Sequence, residues 1–231
     1  AYESGGGVSW EQFGTDMRTG QADMNRPWFL QELGTSWFPS VPALHDSLRN
    51  GARVADVGCG EGWSTIAMAK AYPSASVEGF DVDAPSIEAA RRNAAAEGVA
   101  DRVTFHKVDA STTPHEGSYD VVTAFECIHD MPRPVEALQF MKRLAGNDGQ
   151  VVVMDEAVGD AFGDRTDEVE RLMYGFSLFV CLPDGLSHEN SVGTGTVMRP
   201  DTLRTYARDD GFTDIEILPI ENELWRFYKL V

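Results

Sequence analysis

From Arg53 onward, short apolar runs alternate with segments of helical periodicity, and this alternation is the feature that most constrains the fold. The apolar runs predict seven strands, at residues 53–57, 75–81, 103–108, 119–125, 150–155, 214–220 and 224–231. Helices are predicted between them, at residues 62–72, 83–98, 135–144 and 200–210. Strand–helix–strand units at this spacing predict an α/β fold with a mainly parallel sheet. The last two strands are close enough to pair as a hairpin, so one of them must run antiparallel.

The chain outside this alternating pattern divides into two further regions. Residues 1–50 contain three of the five tryptophans and predict an aromatic-rich arm that packs on a core formed by residues 51–231. A long insertion follows the fifth strand, at about residues 156–199. Because the chain begins with Ala1 rather than methionine, we expect it to be a processed or truncated piece of a longer protein.

The charge of the chain excludes several classes of partner. With 19 Lys and Arg against 37 Asp and Glu, the formal net charge is -18. Such a surface repels phosphate backbones and anionic lipid, and the sequence contains no basic patch that would offset it. No apolar run reaches the roughly 18 residues that a membrane span needs. We therefore expect neither nucleic acid nor membrane as a partner.

The three cysteines indicate a reducing compartment. Cys59, Cys127 and Cys181 are odd in number, far apart and without a Cys-x-x-Cys spacing. A disulfide framework or a structural zinc site is therefore not expected. Together with the lack of a signal-peptide pattern, this predicts a cytoplasmic protein.

The loop after the first predicted strand has the composition of a nucleoside-binding loop. Asp56 is followed by Gly58, Gly60 and Gly62, which allow a tight turn and a close approach of ligand to backbone. In open α/β sheets, ligands bind beyond the carboxyl ends of the strands, beside the first strand. The second strand ends at Asp81, a carboxylate placed to accept hydrogen bonds from two ribose hydroxyls.

Two nucleoside cofactors are candidates for this loop. A dinucleotide needs glycine where this chain has Trp63, and the carboxylate of Glu61 would face its pyrophosphate. S-adenosylmethionine has no phosphate and carries a sulfonium cation, so an acidic loop suits it. The sequence favours S-adenosylmethionine.

Residues 53–156 resemble a class I S-adenosylmethionine-dependent methyltransferase through four successive motifs. These motifs are Asp56 to Gly62, Asp81–Val82, Val108–Asp109–Ala110, and Tyr119 to Val122 leading to Phe125–Glu126. The resemblance implies a Rossmann-like seven-stranded, mostly parallel sheet with helices on both faces and the last strand antiparallel. It also implies a cofactor site made by Asp56, Gly58, Cys59, Gly60, Gly62, Asp81, Val82, Asp109, Ala110 and Phe125. In that family Asp81 binds the ribose, Val82 packs on the adenine, and Asp109 accepts the adenine amino group.

The arm and tail are similar to one bacterial subgroup of that family. The segments 20–27, 174–183 and 225–228 carry this likeness. Members of the subgroup have an N-terminal winged-helix-like dimerisation domain, which the printed sequence does not contain. We expect a homodimer if the full-length chain includes that domain.

Two residues after the fourth strand are candidates for the chemistry. His129–Asp130 is similar to the His-Asp-Trp of plant-type O-methyltransferases, where the histidine is the general base, although Met131 replaces the tryptophan. The alternative is a histidine that only packs beside the cofactor. Glu126 has two interpretations as well: it orients the acceptor or the methionine amino group, or it is a solvated loop carboxylate.

The acceptor pocket is expected at the end of the fifth strand and under the insertion. Glu156 ends that strand, and Tyr174, Phe176, Phe179 and Val180 form a largely aromatic stripe at helical spacing, from which Tyr174 and Phe179 are expected in the pocket. The stripe is either a helix face packed on the sheet or a lid over an apolar pocket. Glu126, Asp155 and Glu156 lack the acidic spacing of the metal-dependent catechol-type enzymes, so we expect no metal.

The favoured function is therefore methylation of a small acceptor, aromatic or polyketide-like, preferably at oxygen. The motif needed for nucleic-acid amino methylation is missing after the fourth strand, where the chain reads Phe125–Glu126–Cys127–Ile128. The alternative function is a non-catalytic module that binds S-adenosylmethionine or S-adenosylhomocysteine.

Overall fold

The apolar runs of the sequence form one seven-stranded sheet in the computed structural model, which describes residues 1–3, 5–112, 117–163 and 168–231. The strands are β1 Arg53–Val57, β2 Ser76–Asp81, β3 Val103–Lys107, β4 Val121–Phe125, β5 Gln150–Glu156, β6 Ile215–Ile217 and β7 Trp225–Leu230. Their order across the sheet is β3-β2-β1-β4-β5-β7-β6. β1 to β5 pair in parallel, whereas β7 runs antiparallel to both β5 and β6. This confirms the predicted fold class.

Helices cover both faces of this sheet. Their bounds are α1 Trp10–Trp28, α2 Pro42–Arg49, α3 Trp63–Ala71, α4 Ala84–Ala96, α5 Pro134–Ala145, α6 Glu168–Phe176, α7 Leu182–Gly185 and α8 Pro200–Asp209. Alternate side chains of the central strands point to opposite faces of the sheet, as β5 shows. Val152 belongs to the core cluster that also contains residues of α2, α3 and α4, whereas Val151 and Val153 belong to the cluster with residues of α5 and α8. The period-2 pattern of a strand buried on both sides therefore produces two hydrophobic cores.

Local signals fix the start and end of the predicted helices. Asp83 caps α4 by accepting the backbone N–H of Ser86 at 3.0 Å, and proline occupies the first turn of α4, α5 and α8. The predicted sixth strand, 214–220, is shorter in the structure and ends at Ile217. Pro219 follows two residues later, and its lack of an N–H limits the ladder at this sheet edge.

The arm is helical and crosses the carboxyl ends of the strands. α1 breaks at Gly14, where φ is 77° and ψ is -165°. It continues without a turn into a π-helical segment, Phe29–Trp37. Trp37 makes edge contacts with Trp225 and Phe227 of β7, at centroid distances of 5.6 and 5.1 Å. The arm is thereby part of the main core.

The insertion forms a second cover beside the arm. α6 leads into a π-helical segment, Ser177–Cys181, and then into α7. The arm and the insertion meet where Val8 N–H donates to Pro183 O at 2.9 Å. Within the described residues, every helix is too short or too polar to cross a membrane.

Candidate functional site

A cavity of about 800 Å³ lies over the carboxyl ends of β1, β2, β4 and β5. Most of the residues predicted for the site line it, namely Gly58, Cys59, Gly60, Asp81, Val82, Asp109, Ala110, Phe125, Glu126, His129 and Glu156. We call the part bordered by residues 58–63, 81–83 and 108–111 the cofactor half. The part bordered by the arm, residues 126–133, Glu156 and residues 172–196 is called the acceptor half.

The loop after β1 presents its backbone to the cofactor half. Gly58, Gly60 and Gly62 have φ angles of 72°, 51° and 83°, a region that favours glycine. At Gly60, the position of an added Cβ has no atom within 4 Å, so this part of the loop is open to a ligand. At Gly62, an added Cβ would lie 2.8 Å from the Cβ of Ala90, because α3 and α4 approach closely there. Gly62 therefore serves helix packing and does not line the cavity.

Asp81 holds the same loop from the end of β2. Its Oδ2 accepts the N–H of Gly60 at 2.8 Å, and its Oδ1 accepts the N–H of Asp83 at 2.9 Å. Burial raises the pKa of Asp81, although these two backbone bonds oppose the shift. Each carboxylate oxygen keeps a second lone pair, and the side chain borders the cavity. This arrangement fits the ribose hydroxyls of the expected cofactor.

The residues after β2 and β3 suit the base of a nucleoside. Val82 is 60% exposed at the cavity wall, where its methyl groups offer an apolar surface. Asp109 Oδ1 accepts the N–H and the hydroxyl of Ser111, at 2.9 and 2.6 Å. Burial alone would raise the pKa of Asp109, but the Ser111 bonds outweigh burial and lower it. The carboxylate therefore stays ionised and can accept a hydrogen bond from an amino group.

Asp56 is buried behind the loop rather than at the cavity, which differs from the predicted cofactor contact. Its oxygens accept hydrogen bonds from the hydroxyls of Ser64, Thr65 and Thr123, at 2.6, 2.6 and 2.8 Å. Burial raises its pKa to about 6 despite these bonds. Asp56 joins β1 to β4 and to the start of α3, and so fixes the loop that the cofactor half uses.

Glu126 is a partly buried carboxylate that ties three distant segments together. Trp225 Nε1–H donates to its Oε1, and Asn25 Nδ2–H donates to its Oε2. Its φ angle is 50°, an uncommon value for a residue other than glycine. Burial raises the pKa of Glu126 to about 7, against the opposing effect of the Trp225 bond. The solvated-loop interpretation of this carboxylate therefore does not fit the structure.

His129 is buried among carboxylates at the floor of the acceptor half. Its Nδ1 is 2.7 Å from Asp155 Oδ1 and 3.1 Å from Glu156 Oε2, and its Nε2 is 3.1 Å from Asp130 Oδ1. Burial alone would lower its pKa, but Asp130, Asp155 and Glu156 outweigh burial and raise it well above the ordinary value. The imidazole is therefore a strong proton acceptor when neutral.

The carboxylates around His129 differ in their ionisation. Burial would raise the pKa of Asp155, but the facing imidazole lowers it, so Asp155 stays ionised. Glu156 has its pKa raised well above the ordinary value, first by burial and further by Asp155, although His129 opposes the shift. Asp155 is consequently the charged partner of Nδ1, as in a histidine oriented by a carboxylate.

Two groups in the described part of the chain bring potential metal ligands within 4.8 Å of one another. They are His129 with Asp155 and Glu156, and His129 with Asp130 and Cys181. In the first group, His129 Nδ1 is hydrogen-bonded to Asp155. Two of the three potential ligands are therefore paired with each other. The expectation that the site needs no metal stays a prediction.

The structure places neither Tyr174 nor Phe179 at the cavity. Phe179 is 75% exposed on the outer surface of the insertion, and the Tyr174 hydroxyl is 3.2 Å from Nη2 of Arg199. Residues 177–181 wind as a π-helix, so the predicted spacing of an α-helix places Phe179 on the wrong face. Phe176 and Val180, the other two residues of the predicted stripe, line the cavity.

Several cavity residues were not predicted from the sequence. They are Arg18, Asn25 and Trp28 of the arm, Asp184 and Thr196 of the insertion, and Trp225 of β7. Arg18 donates to Asp83 from Nε and Nη2, at 2.7 and 2.9 Å, next to the ribose carboxylate. A polar residue on the buried face of an amphipathic helix was the available signal for Arg18 and Asn25.

Sequence comparisons agree with this geometry. A family model described as a methyltransferase domain matches residues 48–184. The chain is 30% identical over 200 residues to the 27-O-demethylrifamycin SV methyltransferase of Amycolatopsis mediterranei, a match that covers 78% of this chain and 72% of that protein. It is 37% identical over 101 residues to a ubiquinone biosynthesis O-methyltransferase of Pectobacterium carotovorum, covering 44% of this chain but only 41% of that protein.

Solved structures show the same fold. An O-methyltransferase family protein from Burkholderia thailandensis has a TM-score of 0.68 at 17% identity, covering 96% of this chain and 62% of that one. The S-adenosylmethionine-dependent methyltransferase SibL has a TM-score of 0.63 at 22% identity, covering 95% of this chain and 57% of that one. The chain thus spans little more than half the length of these structures. It belongs to the methyltransferase-domain family and is a class I S-adenosylmethionine-dependent methyltransferase.

Proposed function

We propose that this chain transfers the methyl group of S-adenosylmethionine to a hydroxyl oxygen of a small aromatic or polyketide-like molecule, with His129 as the proton acceptor. The observation that carries the proposal is the pairing of His129 with Asp155 at 2.7 Å on the floor of the acceptor half. A hydroxyl acceptor must lose a proton during transfer, and a positioned imidazole can take it.

The position of His129 relative to the expected cofactor supports this role. Cys127, two residues before His129, lies against the glycine loop, since an added Cβ at Gly58 would be 2.6 Å from its Sγ. The segment that carries His129 therefore borders the loop that resembles the methionine-binding part of the family. For His129 to take the proton, the acceptor hydroxyl must approach Nε2, the ring nitrogen that lies 3.1 Å from Asp130 Oδ1.

The chemistry of the step follows from these placements. S-adenosylmethionine supplies, when bound, a methyl carbon on a positively charged sulfur that accepts the electron pair of the broken bond. His129 takes the hydroxyl proton at Nε2, and Asp155 stabilises the resulting imidazolium through Nδ1. The aromatic and apolar wall, which includes Trp28, Phe176 and Trp225, orients the acceptor and excludes water.

The size of the cavity and the named relatives support a small acceptor. A volume of about 800 Å³ lies in the range of small-molecule and cofactor sites, about 300–1,000 Å³. The rifamycin and ubiquinone relatives are named for methylation at oxygen on small molecules. We extend that preference to this chain.

We also propose a cytoplasmic location, which the three free cysteines and the acidic charge of the chain support. A homodimer through a further N-terminal domain belongs to the same proposal.

A panel of phenols, aliphatic alcohols, amines and thiols, incubated with the chain and isotope-labelled S-adenosylmethionine, tests the proposal. We expect mass spectrometry to find the label on oxygen, in a product that is absent when His129 is replaced by asparagine. Label found only on nitrogen, carbon or sulfur would refute O-methylation. Cofactor binding without transfer to any acceptor in the panel would favour the non-catalytic alternative.

A further inference from the structure

Three side chains with metal-binding atoms meet in the acceptor half. The ligand atoms of His129, Asp130 and Cys181 all lie within 4.8 Å of one another, and the three residues line the cavity. In His129 the available ligand atom is Nε2, because Nδ1 is paired with Asp155 at 2.7 Å. Asp130 Oδ1 lies 3.1 Å from that Nε2. The structure thus brings an imidazole nitrogen, a carboxylate oxygen and a thiol sulfur into one small volume.

Two segments of the chain hold these ligands in place. His129 and Asp130 follow β4, whereas Cys181 ends the π-helical turn of the insertion. The insertion is tied to the first segment where Gly195 N–H donates to His129 O at 3.1 Å. His129 and Cys181 are 3% and 9% exposed, so both side chains are fixed by packing. π-Helical turns are rare and occur frequently at functional sites. The ligand cluster is therefore largely preformed.

Two buried oxygens that border the acceptor half lack hydrogen-bond donors. Asp130 Oδ1 has no hydrogen-bond partner in the described part of the chain, although Nε2 of His129 is 3.1 Å away, because a hydrogen on that nitrogen would not point at it. Thr196 Oγ1 is buried at the cavity wall and has no such partner either. Buried polar atoms are normally satisfied, so these oxygens indicate a group that the chain itself does not supply.

The ligand set selects among metal ions. Zinc binds imidazole nitrogen, thiolate sulfur and carboxylate oxygen at about 2.0–2.3 Å, with tetrahedral geometry. Bonds of this length put the ligand atoms of one ion roughly 3–4 Å apart, so small side-chain rotations bring the three atoms onto one ion. Mg²⁺ and Ca²⁺ take oxygen ligands, and the nitrogen and sulfur disfavour them. Zinc binding displaces the thiol proton of Cys181, which passes to solvent.

We propose that His129, Asp130 and Cys181 bind a zinc ion that inhibits methyl transfer. The inference rests on the proposed function, in which Nε2 of His129 takes the proton of the acceptor. Zinc on Nε2 occupies the lone pair that the proton needs, and it fills the space that the acceptor hydroxyl must enter. The metal-free chain is thus the active form, and zinc is a reversible regulator that joins the insertion to the segment after β4.

Cobalt and zinc titrations test the metal site without reference to activity. A cysteine thiolate bound to Co²⁺ gives a charge-transfer absorption band in the near ultraviolet. We expect the metal-free wild type to develop this band with Co²⁺ and to lose it when Zn²⁺ displaces the cobalt. Cys181→Ser should lack the band and bind zinc about tenfold more weakly or worse, because a hydroxyl is a poor zinc ligand. Cys127→Ser changes another cysteine of the cavity wall and should keep both properties.

A second variant examines the carboxylate ligand. The Asp130 side chain is 31% exposed, so Asp130→Asn is expected to fold. Its zinc affinity should fall several-fold while the thiolate band stays, because the sulfur ligand is unchanged. Mg²⁺ and Ca²⁺ should not compete with zinc in any variant. A wild type without the thiolate band, or equal zinc affinities of Cys181→Ser and Cys127→Ser, would overturn the proposal.

Zinc inhibition of methyl transfer separates this proposal from the proposed function. We expect half-maximal inhibition at the zinc concentration that half-saturates the site, and recovery of the activity when EDTA removes the zinc. A metal-free chain that transfers no methyl group would refute the proposed function and leave the zinc site standing. Methyl transfer without any zinc binding would overturn the zinc site alone. Zinc bound through Cys181 without loss of transfer would contradict both the inhibition and the assignment of Nε2 as proton acceptor.

Discussion

The interacting residues that form the two halves of the cavity are separated by different distances along the chain. In the cofactor half, the N–H of Gly60 and the carboxylate of Asp81 are 21 residues apart and follow neighbouring parallel strands. In the acceptor half, Asn25 and Glu126 are 101 residues apart, and Trp10 and Asp184 are 174 residues apart. Local motifs therefore build the first half, whereas long-range packing of the arm and the insertion builds the second.

This difference has a functional consequence. The cofactor half depends on strand ends that the sheet holds rigidly, so it can be the same in proteins that differ elsewhere. The acceptor half depends on two covers, the arm and the insertion, which meet through contacts such as the Val8 to Pro183 and Trp10 to Asp184 hydrogen bonds. Specificity carried by segments outside the rigid sheet is a common arrangement in α/β folds. Changes in one half should leave the function of the other half intact, which the following predictions test.

The largest effect is expected from removal of the proton acceptor. His129→Asn cannot take a proton, and general-base catalysis contributes roughly 100- to 10,000-fold, so we expect a loss of kcat in that range. The affinity for S-adenosylhomocysteine, measured by calorimetry, should stay within a factor of about two, because the cofactor half is unchanged. Unaltered turnover would remove the general-base assignment, and lost cofactor affinity would show that the halves are not separate.

The next effect concerns the carboxylate of the cofactor half. Asp81→Ala removes the ribose acceptor and the hydrogen bonds from the N–H groups of Gly60 and Asp83, at a cost of about 1.5–3 kcal/mol, or roughly 10- to 100-fold in affinity for S-adenosylhomocysteine. Asp101→Ala, an exposed aspartate before β3, is the matched control and should bind normally. Equal affinities of the two variants would mean that the ribose binds elsewhere.

A smaller effect is expected where the arm joins the acceptor half. Trp225→Phe keeps an aromatic ring between Trp28 and Trp37 but leaves Glu126 without its indole donor. An unpaired buried acceptor costs about 1–3 kcal/mol, which lowers the Tm by several degrees in a chain of this size. Trp10→Phe is the control. Trp10 holds Asp184 through its backbone N–H, so this variant loses no such hydrogen bond and its Tm should fall less. A larger loss in Trp10→Phe would contradict the role given to the indole bond.

The smallest effect is a change in the pH dependence of stability. Burial raises the pKa of Glu126 to about 7 in the folded chain, against about 4.3 for an unperturbed glutamate. Its contribution to stability is therefore fully present below the unfolded pKa and is lost as the pH rises through the folded pKa. Glu126→Gln should remove on the order of 1 kcal/mol of the decline between about pH 5 and pH 8, since neighbouring carboxyls share the protons.

The control for that pH dependence is Glu88→Gln, on the exposed face of α4. The asparagine at position 25 can turn its free Oδ1 toward the new amide, so the glutamine variant is expected to fold. Thermal unfolding at several pH values provides the comparison. Identical slopes in the wild type and both variants would show that Glu126 is not held in a raised-pKa environment.

The sequence predicted the cofactor half better than the acceptor half for a physical reason. Strand ends can be located from apolar runs; Asp81 ends the second run, and Asp109 directly follows the third. The sequence placed Asp56 at the cavity because a motif gives the order of residues but not the direction of their side chains. Hydrogen bonds from three hydroxyls hold this carboxylate on the inner side of the loop. Phe179 was misplaced because π-helical turns rotate the stripe. Asn25 and Asp184 could not be assigned, since no local pattern reports contacts across 100 residues or more.

The central claim is that the acceptor half activates a hydroxyl through His129, and the pH dependence of kcat/KM tests it most directly. Because the surrounding carboxylates raise the pKa of His129, only part of the imidazole is neutral near pH 7. For an aliphatic alcohol acceptor, kcat/KM of the wild type should therefore rise with pH from neutrality upward, and His129→Asn should lack that rise. A profile that is flat in the wild type, or that rises equally in both proteins, would contradict the account.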